Sequence, residues 1–151
     1  MVNKKIRNAT KVEYNGISFR SKSEMNIYKL FHENGIMLEY EPKPAILQEE
    51  FIIEFPFYDS KSEKNRKELI NKIGQKIKPI TYTPDFLFKG SKMTYIIEVK
   101  GFANDTFPLK KKLFLNLLNR ANTPKPFCFA ILYNQLNAKQ LINVIKENEQ
   151  S

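Results

Sequence analysis

The sequence is poor in the residues that build disulfide, zinc and histidine-based sites, with one cysteine and one histidine among 151 residues. One cysteine excludes an internal disulfide framework. Cys128 lies in the apolar run FCFAILY, where a buried and inert thiol is expected. His32 stands alone on a predicted helix rich in polar residues, so neither a zinc site nor a histidine-based nuclease site is indicated. No P-loop and no paired CxxC motif occurs, which leaves ATP-driven and zinc-finger functions without support.

Long apolar runs are also missing. No run approaches the roughly 18 residues of a membrane span, and the N-terminal MVNKKIRNATK lacks the apolar core of a signal peptide. We therefore expect a soluble, intracellular, cytoplasmic protein without a membrane partner. A hydrophobic content of 42% with 13% aromatic residues argues against wholesale disorder. The length is most simply that of a single domain covering residues 1–151.

Positively charged residues are in excess. Twenty-five Lys and Arg residues against sixteen Asp and Glu give a net charge of +9. The bases concentrate in three places, which are residues 1–11, residues 60–80, and the run Lys110, Lys111 and Lys112. Solubility would explain any one of these clusters. Three clusters at a pI near 9.5 indicate a polyanionic partner, most often nucleic acid.

The apolar pattern predicts an α/β sandwich around a mixed central sheet flanked by helices. FCFAILY is a continuous apolar strand, which is typical of burial on both faces. Lys61–Ile77 is either an amphipathic helix or a mobile basic loop, part of a basic insertion at about residues 58–80. The other expected elements, in order, are a hairpin at about 11–20 around Asn15-Gly16, a helix over Ser21–Asn34, strands over 36–41, 51–57, 80–88 and 93–100, a helix over Phe107–Arg120, a strand over 127–133 and a helix ending near Asn148.

Three ionisable residues interrupt the best strand-forming segments. Asp85 follows Pro84 at the start of one strand, and the strand period of two places Glu98 and Lys100 on one face of the next. Burying an isolated carboxylate is costly unless it is paired or binds a metal. One interpretation is therefore a hard-cation site, since Mg²⁺ prefers one or two carboxylates with water and phosphate. The other is a Glu98–Lys100 ion pair at a strand end, with Asp85 as a turn residue.

A fourth ionisable residue, Glu24, lies on the apolar stripe of the first predicted helix, in register with Ile27, Tyr28 and Phe31. The segment SKSE is also a capping box, with Ser21 at the N-cap and Glu24 at the third helical position. Capping explains an acid at this position. It does not explain why the acid lies on the inward-facing stripe.

These motifs resemble those of the PD-(D/E)-x-K nuclease superfamily, because the PD at Asp85 is followed by EVK, whose Glu98 lies thirteen residues further on. The segments SEMNIYKLFHENGIMLEYE, YTPDFLF and IIEVKG are similar to those of phage endonuclease I type Holliday-junction resolvases. The resemblance covers residues from Ser21 to Tyr133. The segment between Glu41 and Thr81 is longer than in that family.

The resemblance implies an αβββαβ core and a Mg²⁺- or Mn²⁺-dependent endonuclease, phage-encoded or bacterial, that acts on branched DNA in recombination. It implies that Glu24, Asp85, Glu98 and the Val99 carbonyl hold metal and that Lys100 is catalytic. It also implies DNA contacts from the basic helix, at Lys110, Lys111, Lys112 and Arg120. Two symmetric cuts in a junction favour a homodimer, and the resemblance implies an interwoven one, in which Glu24 completes the site of the other chain. The alternatives are another nuclease of the superfamily, of restriction, repair or transposon-end type, and a DNA-binding protein without activity.

Overall fold

A computed structural model describes residues 11–101 and 106–150. Lys4, Lys5 and Arg7 of the first basic cluster lie outside these residues. The chain divides into two compact units. The first comprises the described residues up to Lys43 and from Thr83 onward, and the second is Pro44–Tyr82. No helix in the described part of the chain is both long and apolar enough to cross a membrane.

Three helices and twelve strands make up the described chain. In order, they are β1 (Val12–Tyr14), β2 (Ile17–Phe19), α1 (Lys22–Glu33), β3 (Glu39–Tyr40), β4 (Ala45–Gln48), β5 (Phe51–Ile52), β6 (Tyr58–Ser60), β7 (Leu69–Asn71), β8 (Lys76–Ile77), β9 (Ile80–Tyr82), β10 (Phe86–Lys89), β11 (Thr94–Val99), α2 (Phe107–Arg120), β12 (Phe127–Leu132) and α3 (Gln135–Gln150). The hairpin β1–β2 turns at Asn15 and Gly16, which both have positive φ. This is the conformation that an Asn-Gly turn favours.

The main sheet of the first unit has four strands in the order β12-β11-β10-β3. Strands β3, β10 and β11 pair antiparallel, whereas β11 and β12 pair in parallel. The prediction of an α/β fold with a mixed sheet is therefore confirmed. The parallel pairing needs a long crossover connection, and α2 lies in that connection.

Helices cover both faces of this sheet. Tyr95 and Ile97 belong to a core cluster with residues of α1 and α3. Ile96 and Glu98 alternate with them and therefore lie on the opposite face. On that face Phe129 of β12, the cross-strand partner of Ile96, packs edge-on against Phe114 of α2 with ring centroids 5.1 Å apart. Glu98 thus shares a sheet face with α2.

Strand β12 differs from its prediction. It is the edge strand of the sheet, and five of its six residues are only half-buried. Both faces of β12 do pack, Cys128 and Ala130 against the core cluster and Phe129 against Phe114, but their burial is incomplete because an edge strand has a neighbour on one side only. Cys128 is accordingly half-buried rather than buried. Desolvation still raises the pKa of its thiol, which favours the protonated form at neutral pH.

The second unit, Pro44–Tyr82, is an antiparallel ribbon in which β4 pairs with β9, β5 with β8 and β6 with β7. The helix predicted for Lys61–Ile77 is wrong, because residues 61–68 form no helix or strand and are followed by β7 and β8. The strand expected over 51–57 is limited to Phe51–Ile52 before Pro56. The helical spacing of Ile70, Ile73 and Ile77 arises because a turn at Gly74, with φ of 82°, interrupts the strand alternation. Nine of the fifteen exposed large apolar side chains of the described residues lie in this unit.

Glu149 of helix α3 forms hydrogen bonds to the turn between β10 and β11 and to the start of β11. Its carboxylate accepts hydrogen bonds from the Ser91 hydroxyl at 2.6 Å, the Lys92 N–H at 3.0 Å, the Tyr95 hydroxyl at 3.1 Å and the Met93 N–H at 3.3 Å. The Ser91 hydrogen bond contributes most to lowering the pKa of Glu149 from 4.5 to about 2. Because the folded pKa is depressed, this carboxylate stabilises the fold above pH 4.5 and loses its effect as the pH falls through about 2.

We expect Glu149→Gln to lower the melting temperature at pH 7 and to lose this difference from the wild type as the pH approaches 2. Thermal melts followed by circular dichroism between pH 2 and pH 7 measure the effect. Glu13→Gln, which removes an equal charge from an exposed position on β1, is the matched control. Equal melting temperatures for Glu149→Gln and Glu13→Gln at pH 7 would contradict the prediction.

Candidate active site

Three carboxylates are buried in the first unit. The exposed fractions of Glu24, Asp85 and Glu98 are 8%, 4% and 5%, and they are the buried charged residues in the described part of the chain. Glu24 lies in the first turn of α1, Asp85 immediately precedes β10, and Glu98 lies near the end of β11. A protein buries carboxylates only where hydrogen bonds, cations or a metal compensate for lost hydration. The contacts of each carboxylate therefore show what the site is built to hold.

Asp85 is held by one backbone and one side-chain donor. Its Oδ2 accepts the Val99 N–H at 2.7 Å, and its Oδ1 accepts from Arg20 Nη2 at 2.9 Å. Burial, followed by repulsion from Glu98, raises the pKa of Asp85 to about 7 although Val99 and Arg20 oppose the change. Asp85 thus belongs to a cluster of mutually repelling acids, which is more than a turn residue requires.

Glu98 and Lys100 form the ion pair that their spacing allows. Lys100 Nζ lies 2.7 Å from Glu98 Oε1, and it also lies over the ring of Phe107, 3.9 Å from the centroid. The side chains of Lys100 and Glu98 are 14% and 7% exposed. The ion pair of the second interpretation therefore exists, and it does not exclude a cation site, since Glu98 also repels the charged form of Asp85.

Glu24 combines the two roles that its sequence position suggests. Ser21 Oγ accepts the Glu24 N–H at 3.1 Å, which is the N-cap interaction. The Glu24 carboxylate is directed to Tyr40, whose hydroxyl donates to Oε2 at 2.7 Å. Its charge also acts on Asp85 of the same chain, where it raises the pKa. The backbone of Glu24 therefore serves the cap, while its carboxylate serves the buried cluster of its own chain.

Three residues that the sequence did not single out complete the cluster. Arg20 bonds Asp85 and also Glu41, with Nε 2.9 Å from Oε1. The Arg20 N–H donates to the Tyr40 hydroxyl at 3.1 Å. Glu41 donates its N–H to the Asp85 carbonyl at 2.8 Å and has a φ of 48°, which is rare for a residue with a side chain. The sequence offered only a weak signal for these three residues. Arg20 directly precedes the N-cap of α1, and Tyr40 and Glu41 directly precede Pro42.

Helix α2 brings only part of the predicted basic surface to this cluster. It begins at Phe107, against Lys100, so that Lys110, Lys111 and Lys112 lie in its first two turns. Lys112 is exposed and the other two lysines are half-buried. Arg120 is the last residue of α2, about 20 Å along the helix axis from Phe107. Arg120 therefore lies well away from the carboxylates.

The carboxylates of this cluster could supply a hard cation with only a few protein ligands, and they do not enclose a cation completely. No group of three or more His, Cys, Asp or Glu side chains that could hold a metal ion is found within residues 11–101 and 106–150. Mg²⁺ needs fewer, because it keeps several waters and uses one or two carboxylates with substrate phosphate. Asp85 and Glu98 supply two buried carboxylates. A cavity of about 70 Å³ lies beside Val99 and Lys100, but Glu24, Asp85 and Glu98 are not among its lining residues.

Comparison with known proteins gives a family match. Residues 4–148 match the family model described as protein of unknown function (DUF1064). No curated protein and no solved structure matches the chain. Since the match covers nearly the whole sequence and includes every residue of the buried cluster, the protein belongs to the DUF1064 family.

Proposed function

We propose that the protein is a metal-dependent DNA endonuclease that hydrolyses phosphodiester bonds in branched DNA, as a Holliday-junction resolvase does. The observation that carries the proposal is the cluster of three buried carboxylates, Glu24, Asp85 and Glu98, beside the nearly buried amine of Lys100. Carboxylates that repel one another in a buried site are typical of sites that bind cations or transfer protons. The basic charge of the chain, +9, favours a nucleic acid as the substrate.

The order of elements around the main sheet supports membership in the PD-(D/E)-x-K superfamily. Along the chain, α1, β3, β10, β11, α2 and β12 follow one another as the αβββαβ order of that core, with the ribbon Pro44–Tyr82 inserted after β3. In this arrangement the TPD motif precedes the second of these strands, and the E-x-K motif ends the third. Both motifs therefore lie at strand ends, on neighbouring antiparallel strands.

The residues of the cluster divide the catalytic work. Asp85, Glu98 and the Val99 carbonyl hold Mg²⁺ or Mn²⁺, and Glu24 supports the site through its charge and orients a bound water. When bound, the metal activates water for in-line attack and stabilises the leaving oxygen. Lys100, positioned by Glu98 and by the ring of Phe107, holds the nucleophile and offsets charge developing on the phosphate. Lys110, Lys111 and Lys112 on α2 bind the DNA backbone. Two symmetric cuts in a junction require a homodimer with two such sites.

Cleavage assays on matched substrates test this function. A four-way junction, a duplex and a single strand of the same sequence are each incubated with Mg²⁺, Mn²⁺, Ca²⁺ or EDTA. We expect the junction to be cut in Mg²⁺ and Mn²⁺, to be bound without turnover in Ca²⁺, and to stay intact in EDTA.

Each other outcome selects an alternative. Duplex cleavage at the junction rate would identify another nuclease of the superfamily, of restriction, repair or transposon-end type, in which the ribbon Pro44–Tyr82 contributes to substrate choice. Binding of DNA without cleavage in Mg²⁺ and Mn²⁺ would identify a DNA-binding protein. Cleavage in EDTA would overturn the metal site while leaving nuclease activity to be explained otherwise.

A further inference from the structure

We propose that Arg20 is a positioning residue that occupies the cation position beside Asp85 while the site is free of metal, and that it turns to a phosphate of the bound DNA when metal takes that position. The inference rests on the proposed function. It adds a role for a residue outside the TPD and E-x-K motifs.

Arg20 lies at the mouth of the carboxylate cluster. Its side chain is 58% exposed, whereas that of its partner Asp85 is 6% exposed. The guanidinium thus bonds a buried carboxylate from the solvent side, through Nη2 and Oδ1 at 2.9 Å. A metal bound by Asp85 would compete with Nη2 for the same carboxylate. Since a side chain exposed to this degree can change rotamer without disturbing the core, Arg20 can yield this position.

The backbone of Arg20 is fixed while its side chain remains accessible. Its N–H donates to the Tyr40 hydroxyl at 3.1 Å, and that hydroxyl in turn donates to Glu24 at 2.7 Å. Arg20 also directly precedes Ser21, the N-cap of α1. These contacts keep its Cα at the site in both states. Movement is therefore confined to the side chain.

Glu41 gives the guanidinium a second anchor. Arg20 Nε lies 2.9 Å from Glu41 Oε1, and the Glu41 N–H is bonded to the Asp85 carbonyl at 2.8 Å. The left-handed φ of Glu41, 48°, is a costly conformation that persists only when surrounding contacts require it. This backbone conformation holds the Glu41 carboxylate where Arg20 can stay bound after leaving Asp85.

The contacts of Arg20 leave it suited to phosphate. Its Nη2 contacts Asp85 and its Nε contacts Glu41, and its side chain also bonds Tyr40, so the guanidinium is shared among three partners. A guanidinium can instead present two nitrogens to one acceptor. A phosphate accepts this geometry well. When DNA arrives, Arg20 therefore exchanges its contact with Asp85 for a phosphate while Nε stays with Glu41, which would couple metal binding to substrate binding.

The test compares three variants, Arg20→Gln, Arg20→Lys and Lys22→Gln, with the wild type. Calorimetry measures their affinity for Mn²⁺ without DNA, and a second assay measures their affinity for the junction in Ca²⁺. Lys22→Gln removes an equal charge from an exposed position two residues away. We expect Arg20→Gln to bind Mn²⁺ about tenfold more tightly and the junction about tenfold more weakly, the size of one charge-assisted hydrogen bond. Arg20→Lys should keep wild-type Mn²⁺ affinity, because the charge remains, and should only partly restore junction binding. Lys22→Gln should leave Mn²⁺ affinity unchanged.

The outcomes separate this inference from the proposed function. Wild-type Mn²⁺ binding with no gain in Arg20→Gln, or an equal gain in Lys22→Gln, would overturn the role of Arg20 and leave the metal site standing. Absence of Mn²⁺ binding in the wild type and in Arg20→Gln would overturn both. Melting temperatures of the variants, measured alongside, show whether each has folded.

Discussion

Asp85→Asn should abolish DNA cleavage by the folded protein. Asp85 is the carboxylate at which the backbone of β11, the Arg20 guanidinium and the charges of Glu24 and Glu98 meet. Asparagine preserves the size of the side chain but removes the charge proposed to hold the cation. Metal catalysis is worth several kcal/mol, so we expect the rate in Mg²⁺ to fall by about a thousandfold or more.

The melting temperature of Asp85→Asn shows whether Asp85 is needed for catalysis or for the stability of the fold. Because Glu98 and Glu24 repel the Asp85 charge, its removal relieves repulsion, and we expect the melting temperature to equal or exceed that of the wild type. Junction binding in Ca²⁺ should change far less than cleavage, since the phosphate contacts proposed for α2 would remain. Asp59→Asn, at an exposed position on β6, is the matched control and should cut at the wild-type rate. A folded Asp85→Asn variant that cleaves normally would show that the site has been assigned wrongly.

Mixing two inactive variants should fail to restore cleavage. Within one chain, Glu24 is bonded to Tyr40, which also contacts Arg20, the partner of Asp85. We therefore expect each site to be built from a single chain, whereas the resemblance to junction resolvases implies a shared site. If Glu24→Gln and Asp85→Asn are unfolded and refolded together, every site carries one lesion.

The opposite result is easily detected. If Glu24 served the other chain, half of the randomly formed dimers would be mixed and each would contain one intact site, so about a quarter of all sites would regain nicking activity. Two differently tagged variants, purified through both tags, show whether mixed dimers have formed. Wild-type protein refolded with Asp85→Asn is the positive control. Nicking by purified mixed dimers would establish that Glu24 acts across the dimer.

Local patterns in the sequence predicted much of the first unit. The Asn15-Gly16 turn fixed the first hairpin, and the Ser21 cap with Gly35 bounded α1, because turns and caps depend on neighbouring residues. The period of two along β11 placed Glu98 and Lys100 together, and their side chains do meet. The ribbon was not predicted, because Lys61–Ile77 has helical spacing and pairs only with residues earlier in the chain. The edge position of β12 was missed for a similar reason, since an apolar run does not reveal how many neighbouring strands it has.

The sequence by itself determined the members of the carboxylate cluster, since Glu24, Asp85, Glu98 and Lys100 are recognisable from caps, strand period and motif spacing. Only the tertiary structure decided what compensates these charges. Arg20 reaches Asp85 across 65 positions of the chain, and Tyr40 reaches Glu24 across 16. Periodicity and capping reflect interactions over a few residues, whereas these contacts exist only when α1 packs on the sheet and brings distant segments together. The sequence did not reveal these partners because a buried charge is stabilised by the hydrogen-bond donors and cations that the packed chain places around it. Local sequence does not encode that arrangement.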